Sequence, residues 1–177
     1  MIVSMEGLLL RPTMPADAAA LLSLYRAVAA TPNSGLARHS DEIDVSYVEA
    51  FLGGQGAGWI SIGAFHEGDP VGEIHAARMQ PRQFHHVFND LTIAVHPRMQ
   101  GHGVGSRLFG ELFAFAARLD PPVTRIELVA RTGNAAAIRL YEQLGFRAEG
   151  RFRNRVRLAD GRVEDDIPMA RTVDGSR

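Results

Sequence analysis

The 177-residue sequence contains no cysteine. That excludes disulfides, zinc–thiolate sites and a cysteinyl acyl-enzyme. It contains no lysine either, since all 19 basic residues are arginine. Schiff-base chemistry is excluded with it. So is a phosphate loop of the G-x-x-x-x-G-K-[ST] type, which needs that lysine on the phosphates. No apolar run approaches the roughly 20 residues that span a bilayer. The start, MIVSMEGLLLRP, lacks a basic segment and a long apolar stretch, so no signal peptide is expected. Neither sign of charge is in excess: the net charge of −1 exerts no pull toward nucleic acid or an acidic membrane. A cytoplasmic protein without nucleic-acid or membrane partners is the expectation.

What is present is ordinary for a folded domain, with 46% hydrophobic and 22% charged residues. The length suits one buried domain over residues 1–177. Residues 7–11 (GLLLR) read as a strand. Leu21, Leu24, Tyr25 and Val28 form a helical stripe, with Thr13 as its N-cap. Residues 31–40 read as a loop, and Ser40 caps a second helix carrying Ile43, Tyr47, Val48 and Phe51 up to Gly53-Gly54. Residues 57–66 and 71–79 form an antiparallel hairpin around EGDP. Residues 86–95 are a strand, followed by a helix carrying Val104, Leu108, Leu112, Phe115 and Leu119. Pro121-Pro122 end that helix. Residues 123–130 are a strand, and 134–144 a helix closed by Gly145 in the left-handed conformation. The tail alternates arginine and apolar residues over 151–158 and turns at Asp160-Gly161. That turn places Arg157 opposite Glu164 and Arg155 opposite Asp166. The arginine row therefore reads as a charge-paired solvated face. The order β-α-α-β-β-β-α-β-α-β-β needs one parallel pair with a crossover, so the class is α/β with a mixed sheet of about seven strands and four helices.

The segment HPRMQGHGVGSRLF, residues 96–109, carries glycines at 101, 103 and 105 between a strand and a helix. A helix N-terminus presents unpaired N–H groups and partial positive charge. Glycines there let backbone approach an anion and permit positive φ. The spacing is not G-x-G-x-x-G, so a Rossmann dinucleotide site is not supported. It has the form [QR]-x-x-G-x-[GA], starting at Gln100. Arg98 and Arg107 are the nearby cations.

Two stretches, 91–109 and 134–146 (NAAAIRLYEQLGF), resemble signature segments of the GNAT superfamily of acyl-CoA-dependent N-acyltransferases. The ending, DGRVEDDIPMAR, is similar to the last hairpin of bacterial small-molecule, amino-acid and ribosomal-protein N-acetyltransferases. The resemblance implies the GNAT fold and an acetyl-CoA cosubstrate. It places the backbone of Ile93, Ala94 and Val95 along the pantetheine arm and acyl group. Gln100, Gly101, His102, Gly103, Val104, Gly105 and Ser106 would hold the pyrophosphate. Asn134 would lie on the pantetheine side, and Tyr141 beside the thioester sulfur.

The chemistry agrees. A neutral amine attacks a thioester without a covalent enzyme intermediate, which suits a chain without cysteine. The developing oxyanion needs a donor, for which the Val95 N–H is the candidate. The leaving thiolate needs a proton, which Tyr141 can supply. Some members of the family carry a glutamate five positions before the asparagine as base. Here that position is Val129. Asp90 is the first substitute, followed by Glu73, His75 and His86. Read without the motif, Tyr141 is a core tyrosine and Asn134 an N-cap.

The seven histidines include no H-x-x-x-H or H-E-x-x-H, and adjacent His85 and His86 point to opposite faces of a strand, so no metal is expected. The expectation is acetyl transfer from acetyl-CoA to a primary amine on a small metabolite. The alternatives are a protein amine as acceptor, a non-catalytic acyl-CoA-binding module, or a nucleotide-phosphate binder. A homodimer stays open.

Overall fold

A computed structural model describes residues 7–55 and 58–172. Among these residues there are eight strands and four α-helices. In chain order they are β1 (Leu9–Pro12), α1 (Ala18–Ala29), α2 (Val45–Gly53), β2 (Trp59–His66), β3 (Asp69–Arg78), β4 (Val87–Val95), α3 (Val104–Arg118), β5 (Arg125–Arg131), α4 (Ala135–Gln143), β6 (Arg147–Ala148), β7 (Phe152–Arg157) and β8 (Val163–Thr172). The sheet runs β1-β2-β3-β4-β5-β8-β6, with β7 also on β8. Only β4 and β5 are parallel, joined through α3 as the sequence order requires. Ala57, assigned above to the first hairpin strand, lies outside the described residues.

The expected stripe on α1 is buried as read: Leu21, Leu24, Tyr25 and Val28. The helix starts differently. Thr13 is buried and its hydroxyl lies 2.6 Å from Ser61 Oγ, so it ties β1 to β2 rather than capping α1. A short 3₁₀ turn at Pro15–Asp17 leads into the helix instead. Likewise Ser40 opens another 3₁₀ turn, and Asp44 caps α2, accepting from Tyr47 N at 3.0 Å. Such a cap contributes about 1 kcal/mol. On α3, Phe109 and Ala116 complete the buried stripe, while Phe115 is only partly buried and Leu119 lies past the helix end. Asn134 does cap α4, and Gly145 does take positive φ (+89°).

The sheet is covered on both faces. Ile60, Ile62, Ile74, Phe88 and Ile126 pack under α3 with Leu108 and Leu112. Leu21, Tyr25, Ile43, Val48 and Phe51 form a second core under α1 and α2. Because successive strand residues face opposite ways, Ser61, Glu73 and His75 fall into this second core.

The tail hairpin departs by one residue from the expected register. Arg157 pairs with Val163 and Val156 with Glu164, and a bulge follows toward Phe152, which pairs with Asp166. The loop has three residues, not two: Leu158 N donates to Arg162 O at 2.8 Å, and Gly161 takes φ +84°. Glu164 is thus turned away from Arg157 and accepts from Gly133 N at 3.1 Å. Arg155 still reaches Asp166, at 3.7 Å.

Candidate active site

Strands β4 and β5 pair at only two positions, Val87 with Arg125 and Phe88 with Ile126. Beyond them the strands diverge, β4 to Val95 and β5 to Arg131. The divergence coincides with a bulge. Between the pairs His75–Thr92 and Ala77–Asn89, β3 has one residue and β4 has two, Asp90 and Leu91. Asp90 takes φ +48°, which an aspartate tolerates better than most side chains. One extra residue exchanges the two faces of a strand. Phe88 before the bulge and Ile93 and Val95 after it pack on the α3 side, whereas Ala94 turns into the α1/α2 core.

The bulge decides which peptide groups are free. His96 N donates to Val71 O at 2.9 Å, in the register that pairs Gly72 with Val95. Hydrogen-bonded and non-bonded pairs alternate along an antiparallel ladder. The peptide groups of Thr92 and Ala94 therefore face β3, and those of Ile93 and Val95 face the gap left by β5. Ala94, expected along the pantetheine arm, offers neither its side chain nor its peptide groups to that gap. The Val95 carbonyl accepts from Gln100 Nε2 at 3.1 Å, which fixes the start of the glycine loop.

Two cavities meet at the divergence. The first, about 470 Å³, lies between β4 and β5 and is lined by Asp90, Thr92, Glu127 and Arg131, with residues 34–37 and Phe152 at its sides. The second, about 430 Å³, runs under the glycine loop to the start of α3. Ser34, Ile93, Asn134, Ala137 and Tyr141 border both.

In the loop, Met99 is buried and anchors a 3₁₀ turn, Pro97–Met99, capped by His96 Nδ1, which accepts from Arg98 N at 3.2 Å. Burial, with the Arg98 charge behind it, holds His96 below its ordinary pKa, consistent with a neutral acceptor. Gly101 and Gly103 take φ of +77° and +82°, and a Cβ on either would meet nothing within 4 Å. Conformation, not crowding, calls for glycine there. Gly105 differs: it lies in the first turn of α3, and a Cβ there would stand 3.1 Å from Leu140 Cδ2, so it sets the approach of α3 to α4. Gly103 caps α3 with no side-chain acceptor, leaving the first N–H groups of the helix open toward the second cavity. Gln100, Gly101, Gly103, Val104, Gly105 and Ser106 all border that cavity. His102 does not; its Nδ1 lies 2.9 Å from Gln100 O. An uncapped helix start beside two left-handed glycines fits a diphosphate.

Tyr141 is 8% exposed, and its ring packs edge-on against Phe109 and Phe146 at 5.8 and 6.0 Å. Burial pushes its hydroxyl up to a pKa of about 12. Asn134 uses its side chain twice: Oδ1 accepts from Ala137 N at 3.1 Å and Nδ2 donates to Ser34 O at 3.3 Å. The second bond draws the α1–α2 loop onto α4. Gly35 permits this closeness, since a Cβ there would lie 2.6 Å from Asn134 Nδ2.

The candidate bases separate. Asp90 is exposed and borders the first cavity at the bulge. Glu73 and His75 border neither cavity. Glu73, wholly buried, accepts from Tyr25 Oη and Ser61 Oγ, each at 2.5 Å, and His75 Nδ1 lies 3.1 Å from it. Phe51 stacks on His75 at 4.2 Å. Burial, then the Glu73 charge, raises Tyr25 well above its ordinary pKa and keeps it a donor. This is a satisfied polar knot in the α1/α2 core. His86, also exposed, accepts on its backbone carbonyl from Thr124 N and Arg125 N, outside both cavities. Among the described residues no cluster of three or more histidine, aspartate or glutamate side chains could hold a metal, and no helix is long and apolar enough to cross a membrane.

Arg131 was not singled out by sequence. The signal lay in the alternation of Arg125, Glu127, Val129 and Arg131 against buried Ile126, Leu128 and Ala130, which puts the first four on the cavity face of β5.

Comparison with known proteins bears on the family and the fold. The chain is 34% identical over 109 residues to the L-amino acid N-acetyltransferase AaaT of Escherichia coli, covering 59% of this chain and 63% of that one. It spans less than two thirds of the length of the curated relatives it matches. An acetyltransferase of the GNAT family from Streptococcus pneumoniae superposes with a TM-score of 0.82 at 27% identity, over 93% of this chain and 99% of that one. The fold is also that of yncA of Salmonella typhimurium, solved with acetyl-CoA, with a TM-score of 0.79 at 24% identity over 97% and 96% of the two chains. Residues 21–146 match the model of the Acetyltransferase (GNAT) family, from the stripe of α1 to the close of α4, and the chain belongs to that family.

Proposed function

We propose that this protein transfers the acetyl group of acetyl-CoA to the primary amine of a small metabolite, by direct attack in a ternary complex. The observation that carries the reading is Tyr141, standing where the two cavities meet at the divergence of β4 and β5. The second cavity takes the cosubstrate. The open N–H groups of α3 and the Gly101–Gly103 backbone bind its diphosphate, supplying the charge compensation that a lysine gives elsewhere. Ile93 and Val95 present peptide groups to the pantetheine arm and the thioester carbonyl, with the Val95 N–H as donor to the oxyanion.

The acceptor enters the first cavity. Its nitrogen bonds to the acetyl carbon and the carbonyl electrons move onto the oxygen; as they return, the carbon–sulfur bond breaks and the Tyr141 hydroxyl gives its proton to the departing sulfur. A hydroxyl with a pKa near 12 stays protonated until that moment. Asp90, at the mouth of this cavity, accepts the proton the amine loses. A cavity of about 470 Å³ suits a small acceptor. The likeness to AaaT, named as acting on L-amino acids, supports the same choice. The test is product analysis over an amine panel with acetyl-CoA. Free thiol and acetylated amine are expected in equal amounts; binding of acetyl-CoA with no acetylated product from any amine would overturn the reading.

A further inference from the structure

Most cations near the first cavity are already matched. Arg125 donates from Nε to Glu127 at 2.6 Å and grips Glu149 with its two terminal nitrogens. Arg155 lies 3.7 Å from Asp166, and Arg151 bonds Asp165 at 2.5 Å. Arg131 is the exception. It lines the cavity, and among the described residues no carboxylate oxygen lies within ion-pair distance of it. Its Nη2 donates to Leu36 O at 3.2 Å, and its Nε is buried without a partner.

Arg131 is only partly buried, but its Nε is shut from water, and a buried N–H without an acceptor is costly. Asp166, opposite Arg131 on β8, does not supply it. Burial pushes Asp166 up from the usual carboxylate range against the charges of Arg155 and then Arg131; Arg155 reaches it at 3.7 Å, whereas Arg131 stays beyond ion-pair distance.

The position is informative too. Arg131 closes β5 on the wall of the first cavity, three residues before Asn134, which borders both cavities. An α-amino acid carries its carboxylate on the carbon next to the amine. An amine presented toward Tyr141 would bring that carboxylate to this wall. The planar fork of an arginine matches a carboxylate better than any other side chain does.

We propose that Arg131 reads a carboxylate beside the reacting amine, so that α-amino acids are accepted in preference to uncharged amines of the same shape. The inference rests on the acetyltransferase reading above. It assigns a specificity residue that the position vacated by the family glutamate, Val129 on the same strand face, does not provide.

The test compares a panel of L-amino acids with their carboxamides and decarboxylated amines, at equal concentrations of neutral amine. For the wild type, kcat/KM should favour the acid by about tenfold or more, since a charge-assisted bond is lost on its analogues. In Arg131→Gln the ratio of acid to carboxamide should collapse toward one, mainly through KM for the acid, and Arg131→Lys should restore part of it. A role limited to bracing Leu36 would lower all acceptors together and leave the ratio unchanged, which overturns the proposal. So would a wild-type enzyme that takes carboxamides as readily as acids, a result needing no variant to fold. If no amine is acetylated, the acetyltransferase reading itself fails and takes this one with it. Acetylation without preference for acids refutes Arg131 alone.

Discussion

Phe88 and Ile126 form the last pair between β4 and β5, and the site exists because the pairing stops there. Two strands that part company expose backbone groups that a continuous ladder would consume. The bulge at Asp90 supplies the exposed groups with the right parity, since Ile93 and Val95 face the gap and Ala94 does not. The proposed reaction is thus tied to a local failure of sheet formation.

Replacing Gly103 tests the diphosphate cradle. A valine there is strained at φ +82°, although its Cβ would touch nothing. The loop should leave its conformation, and the Kd for CoA measured by calorimetry should rise about tenfold or more. The melting temperature should move by only a few degrees, because the residue is exposed. Gly105→Val should lower stability as well, since a side chain there meets Leu140 Cδ2 at 3.1 Å. Unchanged CoA affinity in Gly103→Val would contradict the cradle.

Tyr141→Phe removes the acid and keeps the packing on Phe109 and Phe146. We expect kcat to fall about 100-fold with the Kd for CoA nearly unchanged. With its pKa held near 12 by burial, Tyr141 stays protonated through neutral pH, so it contributes no alkaline limb to the rate below about pH 11. Equal rates for variant and wild type would remove Tyr141 from the mechanism.

Much of this was legible in the residues, and what was not has physical reasons. Helical stripes and caps written into local chemistry, such as Asn134 and Gly145, appear where expected. Thr13 and Ser40 have the chemistry of caps, but Ser61 claims Thr13, and Asp44 lies nearer the start of α2. The bulge at Asp90 is a mismatch of two strands and has no signature in either one alone. The tail register failed because Asp160-Gly161 reads as a two-residue turn, whereas the backbone uses a three-residue loop with Gly161 left-handed. Glu73 could be read as a base from its type alone; only tertiary packing buries it between Tyr25 and Ser61. Arg131 is one of 19 arginines, and its distinction is a partner it lacks.

Asp17 predicts an acid-sensitive anchor of α1. Arg11 donates to both its oxygens at 2.8 Å, and Met14 N donates to Oδ2 at 2.7 Å. The Arg11 hydrogen bonds chiefly, opposed by partial burial, hold its pKa below the ordinary 3.8. A depressed carboxylate stabilises the fold above its unfolded pKa, and that contribution is lost as pH falls through the folded value. Urea unfolding of Asp17→Asn near neutral pH should show a loss of about 1–2 kcal/mol. The difference from wild type should vanish well below pH 3.8. A difference that persists in acid would place the effect outside this ion pair.

The central claim is direct transfer between two substrates held together at the divergence of β4 and β5. Initial rates measured while both acetyl-CoA and an acetylated amino acid's parent amine are varied test it most directly. Double-reciprocal lines that intersect, with no thiol released from acetyl-CoA alone, are the predicted result. Parallel lines, with a burst of thiol before the amine is added, would mean an acyl-enzyme and contradict the account.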